Sequence, residues 1–414
     1  MKGYSTFSLV RNALNGHRLW KPVWRTPELK KSYDVVIIGA GGHGLATAYY
    51  LAKKHGVRNI AVLDKGYIGG GNTGRNTQIT RSNYYWPQSA AFFDHSLKLY
   101  ERLGQELNFN VMLSQRGILT LAHSRHELEG IRRWANAIKI NGIDAEVLTP
   151  GEVKKLVPLI DLDCRYPIHG GFIQHRGGIS RHDAVAWGYA RAASALGVDI
   201  IQKCEVTGIN IQSGRVTGVT TTRGTIGADK ISIAVAGHTS HLTKMAGFRV
   251  PVTSMQLQAM VSEPIRPCLN TVVTSSVIHM YVGQSDRGEL VFGGGADVYN
   301  SYAQRGGIPL LQENVAALLE LLPAFSRLRL MRQWAGTVDI TPDTSPLMGQ
   351  TPVQNLYFSG GWGTGGYKAI PAGGDTMAYT IVNDQPHPLI EDFGLERFRS
   401  GTLIDERAAS GVAH

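Results

Sequence analysis

Cysteine is scarce. Only Cys164, Cys204 and Cys268 occur in 414 residues. Their odd number and wide spacing exclude a disulfide framework and a cysteine-based zinc site, and they suit a reducing cytoplasm. No metal-ligand spacing appears elsewhere, so no metal is expected. No apolar run reaches the ~18–20 residues that a membrane helix needs. The apolar stretch at residues 7–10 is too short for the core of a signal peptide. Long repeats and low-complexity tracts are also missing. Acid is in short supply, with 32 Asp and Glu against 42 Lys and Arg, a formal charge of +10. That balance raises nucleic acid or anionic lipid as partners. The basic residues are scattered, however, and no patch interleaves them with aromatics. Acidic ligands or acidic partner subunits are the better expectation.

Glycine, by contrast, is abundant, and the stretch at residues 33–64 shows what it is for. A short apolar run at 35–38 reads as a buried parallel strand. Gly39, Gly41 and Gly44 follow in G-x-G-x-x-G spacing. The first allows a tight turn, the second lets backbone approach a pyrophosphate, and the third lets helix pack on strand. A helix over 44–54 aims its amide-rich start at phosphates. Asp64 ends the next strand, where a carboxylate can bind ribose hydroxyls. A glycine fingerprint alone is a weak signal. Here strand, glycines, helix, second strand and terminal acid occur in order, which points to an adenine dinucleotide. Asp64 fits NAD and FAD equally.

The length suits two or three domains. Residues 1–32 are basic, and they read equally as a frayed tail or as an arm against a partner, with Trp20 and Trp24 available for contact. The loop Gly69-Gly-Gly-Asn72-Thr73-Gly-Arg75-Asn76-Thr77 offers free backbone and small polar side chains to a cofactor. Arg81 follows, either a surface arginine or a group reaching past the cofactor to a substrate carboxylate. Helices are expected at 88–106, 125–140 and 150–156, with a strand at 117–122. Ser180 and Asp183 read as a capping box opening a helix over 183–196. Strands follow at 198–203, 214–220 and 225–233. Residues 250–345 read as an antiparallel sheet with strands at 257–261, 277–282, 289–293 and 332–338, interrupted by a helix at 311–322. A strand from 356 then runs into the glycine-rich turn 360–366 and a helix, whose amides form an anion-binding end.

Several stretches together resemble the glycine-oxidase-like, or D-amino-acid-oxidase-type, flavoprotein amine oxidases, and within them the beta subunits of heterotetrameric sarcosine oxidases. They are Gly41-Gly-His-Gly-Leu-Ala-Thr-Ala-Tyr-Tyr-Leu-Ala-Lys53, Ser114-Gln-Arg-Gly117, Val198-Asp-Ile-Ile-Gln202, Thr222-Arg-Gly-Thr-Ile226, Gly361-Trp-Gly-Thr-Gly-Gly-Tyr-Lys368 and Leu403-Ile-Asp-Glu406. The resemblance runs from about residue 30 to the end. It implies an α/β fold, a Rossmann-like FAD-binding domain with an inserted antiparallel-sheet substrate domain. The expected division is a basic arm at 1–32, a discontinuous FAD-binding domain at 33–100, 169–249 and 346–390, a substrate or partner domain at 101–168 and 250–345, and a tail at 391–414.

The resemblance also implies site residues. Gly39, Gly41, Gly42, His43, Gly44 and Asp64 would hold the ADP part of a noncovalent FAD. Asn72, Thr77 and Ile79 would line the rest, Val206 the adenine side, and Gly363, Thr364, Gly366 and Lys368 the ring. Arg81 and Lys368 would hold the substrate carboxylate as the catalytic pair. A second flavin, FMN, would be covalently attached to His182. A neutral imidazole is a competent nucleophile for that attachment. Without the resemblance His182 reads as an ordinary first-turn histidine, and nearby His175 lies outside the matching motif. The implied partners are alpha, gamma and delta subunits, with NAD and tetrahydrofolate on alpha. The implied reaction is oxidation of sarcosine to glycine and a formaldehyde-level one-carbon unit, with electrons passing from FAD to FMN to oxygen. One-flavin relatives place an oxygen-assisting lysine where residues 275–284 carry none. The competing expectations are a two-flavin proline or opine dehydrogenase and, in a different class, a non-catalytic flavin-containing assembly subunit.

Overall fold

The computed structural model describes residues 5–18 and 22–406. The strand Ser32–Ile38 lies at the centre of the first sheet. Over residues 35–38 its side chains alternate between two cores: Val35 and Ile37 enter one, Val36 and Ile38 the other, while Tyr33 near the strand start joins the second core out of that alternation. That period of two is what a strand covered on both faces requires. It pairs in parallel with Ile60–Leu63 on one side and Gly224–Ile233 on the other. Asp199–Ile201 and Leu356–Gly360 extend the parallel set outwards. Leu347–Gln350 closes one edge antiparallel, and the hairpin Val206–Gln212 and Arg215–Thr221 pairs onto Gly224–Ile233. Helices Gly42–Lys54, His182–Ala195, Pro87–Glu106 and Ile370–Asn383 all contribute buried residues to the core on the Val35 face.

The second sheet has eight strands, from Leu330–Ile340 through Thr253–Pro264, Glu289–Asn300, Met280–Gln284, Val272–Ser275, Ile118–Ala122 and Gly170–Gln174 to Glu146–Leu148. It is antiparallel except where Val272–Ser275 meets Ile118–Ala122 in parallel. That pair joins the two chain segments of the sheet, so no local turn constrains its direction. A two-stranded ladder, Ile79–Thr80 with Gly178–Ile179, leads from one sheet towards the other.

Several expected elements shift. Strand Gly170–Gln174 pairs with Ile118–Ala122 in the second sheet, although residues from 169 onward read as part of the dinucleotide domain. The first-domain helix starts at Gly42, two residues before expectation. No capping box forms at residue 180: the helix begins at His182, and its N-cap is Arg181 with no side-chain cap bond. Asp183 instead accepts from the amide of Ala184 and pairs with Arg181. The stretch read as a tail packs inward, with Phe393 and Ile404 buried in the main core. In the basic arm, helix Thr6–Leu14 buries no residue, while Trp24 packs on the core and Arg25 pairs with Asp199 at 3.1 Å. Trp20 and Lys21 of the arm, and residues 407–414, lie outside the described residues. No helix among the described residues is long and apolar enough to cross a membrane.

Candidate active site

The glycine turn is set by backbone crowding. Gly39 has φ +111°, and a Cβ there would sit 2.3 Å from the carbonyl oxygen of Ala234. A Cβ at Gly44 would meet the oxygen of Gly39 at 2.0 Å, so helix and turn approach as closely as they do only without side chains. The helix start has Gly41 as its N-cap and no side-chain cap. The amide of Gly42 donates to Thr73 Oγ1 at 2.9 Å, which ties the turn to the second glycine-rich loop. Asp64 holds the turn from the neighbouring strand: its oxygens accept from the amides of Ala40 (2.8 Å) and Gly66 (2.7 Å). Each carboxylate oxygen keeps lone-pair capacity for a further donor such as a ribose hydroxyl.

These groups border a cavity of about 730 Å³ that runs from the glycine turn to the second sheet. Gly39, Gly41, Gly42, His43, Asp64, Asn72, Thr77, Ile79, Gly363, Thr364, Gly366, Arg81 and Lys368 all line it. Gly44 sits behind the turn. Val206 lines a smaller pocket of about 60 Å³ that shares Gly39 and Asp64 with the large one. Asn72 uses both ends of its amide on strand Leu330–Ile340, donating to Thr337 O at 2.5 Å and accepting from Thr337 N at 3.0 Å. It therefore pins the second loop to the sheet that faces it.

The C-terminal loop closes the cavity beside the first helix. The rings of His43 and Trp362 stack at 4.2 Å, and His43 Nε2 lies 2.8 Å from Gly366 O. A carbonyl can only accept, so Nε2 carries the proton. Burial pushes the His43 pKa down to about 4, which keeps the ring neutral. Buried polar atoms without a hydrogen-bond partner gather on this wall: His43 Nδ1, Trp362 Nε1 and Ser359 Oγ. A cradle of backbone amides at a helix start, an acid at the next strand end and orphaned polar groups on the wall fit a bound FAD.

Two basic side chains line the same cavity. Arg81 is 9% exposed; its guanidinium donates to Asn83 Oδ1 at 2.6 Å and lies over the ring of Tyr84 at 4.6 Å. Lys368 is buried and donates to Thr364 O at 3.0 Å. Burial, and then the charge of Arg81, hold its pKa well below the usual lysine value. To the same lining the second sheet contributes Ile118, Thr120, Thr274 and Tyr281, and helix Arg125–Ile140 contributes Trp134. A mainly apolar cavity lined by two basic side chains close enough for Arg81 to depress the Lys368 pKa is suited to a small anion such as a carboxylate.

His182 lies outside the cavity lining. It is mostly buried; burial, ahead of the opposing effect of Asp183, lowers its pKa, and Nδ1 has no hydrogen-bond partner. His175 pairs at the surface with Glu146 at 2.8 Å. His182 thus has a lowered pKa and a buried Nδ1 without a partner, and a neutral imidazole nitrogen is the chemistry that attachment to a flavin would need. Ser180 connects this turn to the cavity: its carbonyl accepts from the Tyr367 hydroxyl at 2.9 Å, and the two hydroxyls lie 2.6 Å apart.

Sequence reasoning missed several members of this site. Thr73 belongs to the second glycine-rich loop, but no local pattern marks it as the partner of Gly42. Trp362 sits in the C-terminal glycine-rich stretch, and no spacing there signals its stack on His43. Asp339 is buried in the cavity wall and accepts from the amide of Gly361 at 2.6 Å. Burial raises its pKa from 3.8 to about 7. No local pattern distinguishes it from any other strand aspartate. Among the described residues no cluster of His, Cys, Asp and Glu is arranged to hold a metal.

The family model for FAD dependent oxidoreductases (DAO) matches residues 34–380. The sarcosine oxidase subunit beta of Rhodobacter capsulatus is 52% identical over 415 residues and covers 100% of both chains. That of an Arthrobacter species is 54% identical over 394 residues, covering 95% of this chain and 97% of its own. Among solved structures, L-proline dehydrogenase from P. horikoshii superposes with a TM-score of 0.85 at 25% identity, covering 90% of this chain and 99% of its own. Glycine oxidase from Geobacillus kaustophilus gives 0.81 at 21%, covering 89% and 99%, a likeness of fold. The chain therefore belongs to the FAD-dependent oxidoreductases of the D-amino-acid-oxidase type, in the group of the sarcosine oxidase beta subunits.

Proposed function

We propose that this chain is the flavin-carrying catalytic subunit that oxidises sarcosine to glycine and a one-carbon unit at the formaldehyde level. The observation that carries the reading is that Arg81 and Lys368 line the same cavity as the glycine turn and Asp64, near enough for the charge of Arg81 to act on Lys368, in a chain that matches a sarcosine oxidase subunit beta over its whole length. Gly39, Gly41, Gly42, His43, Gly44 and Asp64 hold the ADP part of FAD. Asn72, Thr77, Ile79 and Val206 complete its site, and Gly363, Thr364, Gly366 and Lys368 flank the ring. When bound, the flavin supplies the two-electron acceptor for a C–H bond of the substrate.

The protein's share of the reaction is positioning. The planar fork of Arg81, held by Asn83 and the Tyr84 ring, takes both oxygens of the substrate carboxylate. Lys368 approaches from the other side, and an arriving anion favours its charged form, against the burial that lowers its pKa. Neither group needs to transfer a proton to the reacting carbon. We assign residues 33–100 and 346–390, with most of 169–249, to the cofactor domain. The sheet built from residues 118–174 and 253–340 forms the substrate side.

The proposal extends to FMN on His182, oxygen as the final acceptor and hydrogen peroxide as product. It includes partner alpha, gamma and delta subunits, with NAD and tetrahydrofolate on alpha. With folate present the one-carbon product is 5,10-methylenetetrahydrofolate. The compartment proposed is the cytoplasm. One second reading has a specific observation behind it: the likeness to L-proline dehydrogenase makes proline, with an acceptor other than oxygen, the alternative substrate. The test is turnover of sarcosine, proline and an opine by the purified, flavin-loaded complex, under air and with an artificial acceptor. Sarcosine-dependent peroxide supports the first reading; proline turnover without peroxide supports the second. Peptide mass mapping of the same material tests FMN: an FMN-mass addition on the His182 peptide supports it, and an unmodified peptide overturns it.

A further inference from the structure

The helix Pro87–Glu106 starts without a cap of its own. Its N-cap is Trp86, which makes no side-chain cap bond, and proline occupies the first turn. The amides just before it are received by a residue more than three hundred positions away. Glu406 Oε1 accepts from Trp86 N at 3.0 Å, and Oε2 accepts from Tyr85 N at 3.2 Å. Glu406 is 1% exposed. An ionised carboxylate at a helix start is stabilised both by those N–H groups and by the helix dipole. A second bond strengthens the link, from Trp86 Nε1 to Asp405 O at 2.7 Å.

The segment that delivers Glu406 is itself anchored. Ile404 is buried, its amide donates to Asp343 Oδ2 at 3.2 Å and its carbonyl accepts from Ser345 Oγ at 2.6 Å. The amide of Glu406 donates to Asp343 O at 3.2 Å. Asp343 in turn is fixed by Arg397, with bonds of 2.8 and 3.0 Å between side chains that are almost wholly buried. Residues 397–406 thus form a strap from the core to the stretch at residues 81–86.

That stretch begins with Arg81. Asn83 and Tyr84 hold the guanidinium, and Tyr84 stacks face to face on Phe93 of the same helix, with ring centroids 3.6 Å apart. Where residues 83–86 sit therefore decides where the guanidinium points. We propose that Glu406 is a positioning residue for the substrate-carboxylate site, fixing the start of this helix and through it Arg81; the inference rests on the carboxylate role proposed above for Arg81.

The test uses the full, flavin-loaded complex with Glu406→Ala, Glu406→Gln and Trp86→Phe. The readouts are FAD content, KM and kcat for sarcosine, and affinity for acetate followed through the flavin absorbance. Glu406→Ala is expected to raise KM and the acetate dissociation constant together by about tenfold, as loss of charge-assisted bonds implies. FAD content and kcat are expected to change far less. Glu406→Gln, which retains an acceptor, is expected to recover part of the loss. Trp86→Phe, which keeps the carboxylate, is expected to give a smaller change in the same direction, and it serves if Glu406→Ala does not fold. Acetate affinity and KM within twofold of the parent in all folded variants would overturn the inference and leave Glu406 as a stability cap. Failure of the parent complex to oxidise sarcosine would instead count against the proposed function, and the acetate comparison would still decide the role of the strap.

Discussion

Arg81→Ala removes a cation that is oriented before any ligand arrives. Its neighbours Asn83 and Tyr84 hold the guanidinium in a pocket where it is 9% exposed. Truncating one member of a buried, hydrogen-bonded charge pair costs about 2–5 kcal/mol, which corresponds to a loss of roughly 30-fold to several thousandfold in affinity. The lower end applies here because Lys368 still faces the same anion. KM for sarcosine is therefore expected to rise about 30- to 100-fold. Arg81→Lys keeps the charge but loses the fork and the planar stack, so about tenfold is expected. A second consequence follows from electrostatics. The charge of Arg81 is one cause of the depressed Lys368 pKa, after burial. Its removal raises that pKa, so Lys368 stays protonated to higher pH. The affinity of a carboxylate inhibitor, which weakens as Lys368 loses its proton, should then persist to higher pH in Arg81→Ala than in the parent, although it starts from a weaker value. Inhibitor titrations across a pH series measure both effects. A KM within threefold of the parent, or an alkaline limb that moves to lower pH, would refute the reasoning.

Three further outcomes are expected. The Asp339 carboxyl has a folded pKa raised from 3.8 to about 7, so the folded state retains a proton that the unfolded chain releases. Apoprotein stability should fall as pH rises from about 4 to 7, by at most about 4 kcal/mol for a shift of this size; Asp339→Asn should flatten the dependence in urea unfolding compared at the two ends of that range. Asp343→Ala leaves Arg397 buried and uncompensated, and it frees the strap that carries Glu406. A loss of about 3–5 kcal/mol is expected by the same unfolding measurement, and a loss under 1 kcal/mol would show that the pair is dispensable. Gly44→Ala puts a methyl 2.0 Å from the carbonyl oxygen of Gly39, a backbone atom that moves only with the turn itself. The purified protein should retain its secondary structure by circular dichroism but carry much less FAD, and full FAD occupancy would contradict the close-approach argument.

The elements that could be read directly are those whose cause is local. The first strand, its glycines and the acid of the second strand encode their own geometry, because a parallel strand buried on both faces must be continuously apolar and a pyrophosphate turn must lack side chains. Helices Arg125–Ile140 and Pro150–Leu156 carry their caps at Ser124 and Thr149, and both bonds are made. Ser180 shows where such reading fails. Its spacing to Asp183 is that of a capping pair, but a buried tyrosine from residue 367 competes for its hydroxyl, and Asp183 is drawn to Arg181. Strand Gly170–Gln174 is illegible for a related reason: its partner Ile118–Ala122 lies about fifty residues upstream, and the Gly-Gly start offers no side-chain alternation that would point to that sheet.

The same distinction separates the site from its supports. Groups that face a ligand sit in short motifs, since a cofactor is approached by loops whose backbone conformation must be written into neighbouring residues. The groups that hold those loops in place need only one good hydrogen bond from anywhere in the chain. Asn72 reaches residue 337, His43 reaches residue 366, and Glu406 reaches residues 85 and 86. None of these partners has a characteristic spacing, because the sheets bring them together only after the chain has folded. Mutations at such supports should therefore act on substrate affinity and cofactor retention through partners far away in the chain, which the motif around the mutated residue does not reveal.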